Sequence, residues 1–73
     1  MSINVFPGVI YEKGSRRRRI DRLSGNGRIV DYEIYKQDRS SGDWYIRGSS
    51  WCNRASFCRW AKGAKIVEEG TKL

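Results

Sequence analysis

Hydrophobic and polar residues alternate with a period of two over much of the first fifty positions, the signature of strands with one face on a core. The clearest run is Ile29 to Tyr35, where Val30, Tyr32 and Ile34 fall on one face and Asp31 and Glu33 on the other. Val9-Ile10-Tyr11-Glu12 predicts a short strand after the Pro7-Gly8 break, and Ile20-Asp21-Arg22-Leu23 predicts a second. Trp44-Tyr45-Ile46-Arg47 alternates again, with Trp44 and Ile46 on one side. Lys13-Gly14-Ser15 and Ser24-Gly25-Asn26-Gly27 separate these segments with residues that accept positive φ at low cost, so both predict tight turns. The polar stretch from Asp38 to Asp43 predicts an exposed loop.

Beyond Gly48 the period changes. Phe57, Trp60, Ala61 and Ala64 recur at i, i+3, i+4 and i+7, one face of a helix. Asn53 suits its N-cap, and Gly63 suits the residue just past its end. Such a helix has roughly two and a half turns and would not stand alone in water, so it must dock on the sheet through Phe57 and Trp60. Ala64 to Glu68 predicts a closing strand, and Gly70 to Leu73 a frayed tail. The expected architecture is one domain spanning 1–73 and ordered over about 7–68. It is mainly β, a curled antiparallel sheet or small barrel with one short C-terminal helix. Closure would hide the edges of such short strands. Phe57, Trp60, Tyr32 and Trp44 are assigned to the core, Tyr45 and Trp51 to the surface.

Charge adds a functional dimension to this outline. The 73 residues carry 15 Lys and Arg against 8 Asp and Glu, a formal net charge of +7, with no His. That size is near the limit at which one core suffices, so an arrangement of repelling charges is not expected without a use. Arg16-Arg17-Arg18-Arg19 is such an arrangement. In an extended strand Arg16 and Arg18 share one face, and Arg17 and Arg19 the other, so either pair can straddle successive phosphates or a row of acidic side chains. A solvated loop that keeps the protein soluble is the plainer alternative; four adjacent Arg with no interleaved acid favour a contact. Arg22, Arg28 and Lys36 are expected on the same hairpin, widening the patch. Arg47, Arg54, Arg59 and Lys62 form a second basic group around the helix. Trp44, Tyr45 and Trp51 are candidates for stacking on unpaired bases, against the plainer reading that aromatics in so small a domain form its core, to which Trp44 is assigned.

Other chemistry finds little footing. Without His the usual general base near neutral pH is missing, and Cys52 and Cys58 lack an imidazole to activate them. The carboxylates form no evident acid–base couple. Two thiols without His fall short of the four ligands of a structural zinc site. These residues predict a non-enzymatic protein without a cofactor. Met1 to Pro7 has neither the basic start nor the apolar stretch of a signal peptide, and no segment reaches the roughly 20 apolar residues of a membrane span. The expectation is therefore a cytoplasmic monomer with reduced thiols and no membrane contact, a Cys52–Cys58 disulfide being disfavoured.

The order of features resembles small basic proteins of bacteriophages and prophages. The likeness is one of layout over about residues 7–67. It runs from Pro7-Gly8 and the aromatic-ended strand at Tyr11, through the basic strand ending in Ile20 and the hairpin with Val30 and Tyr32, to the Phe57-x-x-Trp60-Ala61 element within Trp51 to Ala61. The resemblance implies a Src-homology-3-like small barrel. It also implies a regulator that binds host RNA polymerase, blocking initiation or causing antitermination in the host cytoplasm. Three functions are thus weighed: a regulator docking on an acidic surface of nucleic-acid machinery such as RNA polymerase, a direct RNA- or DNA-binding module, and, less favoured, a small nuclease toxin. The residues that carry the first two are Arg16, Arg17, Arg18, Arg19, Arg22, Arg28, Lys36, Tyr45, Arg47, Trp51 and Arg54.

Overall fold

In a computed structural model, which describes residues 5–69, the chain forms five antiparallel strands and one helix. Strands β1 (Val9–Lys13), β2 (Arg16–Ser24), β3 (Ile29–Gln37) and β4 (Trp44–Asn53) make a meander. Helix α1 (Arg54–Ala61) then crosses one face of the sheet and delivers β5 (Lys65–Glu69) to the far side of β1. The strand order is β4-β3-β2-β1-β5. The sheet does not close into a barrel, so β4 and β5 remain as edges and the expected hiding of edges is not realised. The anticipated tail at 70–73 lies outside the described residues.

Local sequence accounts for the connections. Gly14 takes φ 63° in the two-residue turn that pairs Lys13 with Arg16, and positive φ at the first turn position matches the twist of a hairpin. The β2–β3 turn strings three left-handed residues together, Gly25, Asn26 and Gly27, with Asn26 the one residue among them bearing a side chain. Asp38 closes the β3–β4 loop by accepting from Ser40 N–H at 2.7 Å, Ser40 Oγ at 2.6 Å and Ser41 N–H at 3.3 Å. These bonds hold its carboxyl below the usual carboxylate range. Asn53 caps the helix as expected, its Oδ1 accepting from Ser56 N–H at 2.8 Å. Gly63 follows the helix end without a left-handed φ. It lies close to Lys13, whose amine donates to Trp60 O at 3.3 Å.

The core lies between the helix and the sheet. Phe57 is its centre, fully buried, with its ring 5.9 Å from Tyr11, 5.7 Å from Tyr32 and 6.0 Å from Trp60. Val5, Val9, Ile20, Val30 and Ala61 surround it, and Leu23, Ile34, Cys52, Cys58, Trp60 and Ala64 pack at its margin. Trp44 is not in this core. It sits on the opposite face of the sheet near the start of β4, with the Arg17 guanidinium 4.0 Å from its ring. Period-two alternation put Trp44 and Ile46 on one side correctly; that side is the one the helix leaves open.

Candidate polyanion-binding site

Antiparallel pairing sets residues of neighbouring strands directly opposite one another on the same face, and this divides the Arg run in two. On the open face each guanidinium of β2 meets an acid. Arg17 Nε lies 2.8 Å from Glu12 Oε1, Arg19 Nη1 lies 3.1 Å from Glu33 Oε1, and Arg22 Nε lies 3.3 Å from Asp31 Oδ2. Lys65 adds a 3.1 Å contact to Glu12 from β5, and Ser24 Oγ donates to Asp31. Arg17 and Lys65 together hold the Glu12 carboxyl below the usual range, the hydrogen bond from Arg17 being the larger cause. Tyr35 donates to Glu33 Oε1 at 3.3 Å; burial, reinforced by that carboxylate, pushes its phenol up. This half of the Arg run is neutralised within the chain.

The helix-side face is different. Its outermost row reads Lys13, Arg16, Lys36 and Tyr45 across β1, β2, β3 and β4, three cations in succession. The next row reads Tyr11, Arg18, Ile34 and Gly48. Phe57 covers Tyr11 and Trp60 lies against Arg18, and beyond them the face opens into a hollow of about 250 Å³ lined by Arg16, Arg17, Arg18, Ile34, Lys36, Arg47 and Trp60. Arg47 reaches it through a register shift between Ile34 and Tyr35: Gly48 and Ile46 pair with these two residues, leaving Arg47 as the extra residue. Such bulges re-aim a side chain. Among the described residues, none of Arg16, Arg18, Lys36 and Arg47 is ion-paired to an acid.

Arg18 and Trp60 join this hollow to the core. The Arg18 guanidinium stands 4.2 Å from the Trp60 ring and 4.6 Å from the Tyr32 ring, and Lys13 Nζ is 5.5 Å from Trp60. Trp60 therefore carries cations rather than a vacant stacking surface. Cys52 lies nearby. Burial pushes its thiol up, outweighing the opposing influence of Arg18, so it offers little thiolate at neutral pH. Both cysteines are free thiols. Among the described residues no group of three or more His, Cys, Asp or Glu side chains could hold a metal, and no helix is long and apolar enough to cross a membrane.

Of the residues singled out in the sequence, the fold brings Arg16, Arg18, Lys36 and Arg47 together, with Tyr45 alongside. Arg17 touches the hollow's rim, but its charge is committed to Glu12. Arg19, Arg22 and Trp51 face the other way. Of the residues expected to widen the Arg patch, Lys36 does so, directly across from Arg16 on the helix side, whereas Arg22 points to the open face and Arg28 sits at the β2–β3 turn. Arg28 instead meets Arg54 in a separate shallow hollow, where Arg54 Nη1 lies 3.5 Å from Gly27 O. Sequence reasoning missed Lys13 and Trp60 as parts of the site. Trp60 is legible as part of the apolar stripe but reads there as core alone, and the place of Lys13 follows only once β2 starts at Arg16, directly across from it. No protein-family model matches the chain, and comparison with curated proteins and with solved structures finds no match either.

Proposed function

We propose that this chain is a non-enzymatic nucleic-acid-binding module that grips phosphates with the helix-side face of its sheet. One observation carries the reading: among the described residues, Arg16, Arg18, Lys36 and Arg47 converge on one hollow without acidic partners, while the Arg side chains on the other face of the same strand are paired. Like charges set directly opposite on adjacent strands oppose folding, and a polyanion relieves that cost. Arg offers bidentate contacts to phosphate oxygens, and a concave basic surface concentrates anions. Binding of this kind fits a regulator that works on nucleic-acid machinery such as RNA polymerase, with the RNA or DNA handled by that machine as the direct contact.

Docking on the machine's protein surface is a second reading, favoured by the open face. Its charges are mutually satisfied, and Ile46 and Trp51 stand 54% and 66% exposed beside them. The two readings separate in a salt titration of binding to a labelled oligonucleotide. For phosphate contacts log K falls linearly with log salt, by about 0.7 per contact for single strands and about 0.9 for duplex. Replacing Arg16, Lys36 and Arg47 together by Ala should lower the slope by about two. Replacing the exposed Arg22 by Ala should leave it unchanged. An absence of binding at low salt, or an equal slope in the triple variant, rejects the phosphate reading and leaves the protein-docking one.

A further inference from the structure

Resting on the nucleic-acid reading, we propose that the site selects single-stranded nucleic acid, with a base stacked on Tyr45 and the adjoining phosphate held by Lys36, Arg16 and Arg47. Three aromatic side chains compete for the stacking role, and the fold distinguishes them. Trp60 lines the hollow but already has Arg18 at 4.2 Å and Lys13 at 5.5 Å from its ring. Trp51 is the most exposed, yet it lies on the opposite face across from Asp31, and the cation beside it, Arg22, is already paired with that carboxylate rather than free to hold a phosphate. Tyr45 is directly across from Lys36 on the same face as the hollow and is 46% exposed. Among the described residues its ring has no aromatic, cationic or hydrogen-bonded partner.

The surroundings of Tyr45 suit a strand running past it. Residues directly opposite in an antiparallel pair have Cβ atoms about 4.5–5.5 Å apart, so the phenol ring and the Lys36 stem stand side by side. β4 is an edge strand, which leaves the outer flank of Tyr45 without a neighbouring strand. Gly48 leaves the adjoining row low, with nothing within 4 Å of where a Cβ would stand. A base inside a duplex has both faces covered by its neighbours, whereas an unpaired base can lie on an exposed ring. An aromatic platform beside a phosphate grip therefore discriminates by strandedness, and it tolerates any base because each has a π-face.

The test compares labelled single-stranded RNA, single-stranded DNA, a duplex of the same length and an abasic strand, each bound to wild-type protein and to Tyr45→Ala and Tyr45→Phe at fixed salt. Either single strand should bind at least about tenfold tighter than the duplex and the abasic strand. Tyr45→Ala should weaken single-strand binding roughly 5- to 100-fold, and Tyr45→Phe should retain most of it. The salt slope of Tyr45→Ala should equal that of wild type, because no charge is removed. Equal binding of abasic and normal strands, or no loss in Tyr45→Ala, overturns the stacking proposal while a steep salt slope leaves the phosphate reading standing. Failure of all four probes to bind removes both.

Discussion

Arg18 does two jobs that a sequence cannot separate. Its neighbours in the Arg run are either ion-paired on the open face or directed to solvent, but Arg18 is half-buried, its guanidinium against Tyr32 and Trp60. A planar cation can lie on two rings at once, and its aliphatic stem covers the margin of the core. Arg18→Ala should therefore destabilise the domain by about 1–3 kcal/mol as well as weaken binding. Arg18→Lys, which keeps the charge but loses the flat contact, should recover little of the stability. Thermal unfolding followed by circular dichroism checks this, and a melting temperature unchanged in Arg18→Ala would refute the packing role. Trp44 teaches the complementary lesson: large aromatics in a small domain are usually core, yet here the ring lies under Arg17 on the uncovered face. Nothing in its own alternation says which face the helix will cover.

Strand β2 concentrates the functional argument at the level of elements. It was legible only in part, because Ile20 to Leu23 carries the strand signal and four consecutive Arg carry none, yet the observed strand begins at Arg16. Once β2 extends that far, pairing with β1 and β3 sets Arg16 between Lys13 and Lys36. Each opposed like-charge pair costs about 0.2–1 kcal/mol. Arg16→Glu turns both pairs attractive, so this variant should melt several degrees higher than wild type while losing nucleic-acid binding, an exchange of stability for function. Unfolding and binding measured on the same sample decide it; a lower melting temperature would mean that the row is not under repulsion. β4 outran its sequence signal for a related reason. Gly48, Ser49 and Ser50 show no apolar alternation, but past the Arg47 bulge β3 offers every residue from Gly48 to Asn53 a partner.

The whole molecule is held at one side by the return of β5 to β1, a contact between distant parts of the chain whose electrostatic clasp is Glu12 with Arg17 and Lys65. The Glu12 carboxyl is depressed in the folded state, so its contribution is complete above the usual Glu pKa and is lost as pH falls through the lowered value. Melting temperature should accordingly decline below about pH 4.5. Glu12→Gln should start lower at neutral pH and lose less on acidification, the remainder including Asp38. An acid profile identical to wild type would show that Glu12 is not part of the clasp. Local patterning alone determined the strand-turn-strand order, the short capped helix and the inward positions of Phe57, Tyr32 and Val30. All of these follow from period-two and period-3.6 geometry between near neighbours. Only the tertiary structure decided which face the helix covers, that the sheet stays open, which Arg side chains find acids, and that a bulge brings Arg47 beside Arg16 and Lys36. Those outcomes depend on strand register and on contacts between residues far apart in the chain, which no local period encodes.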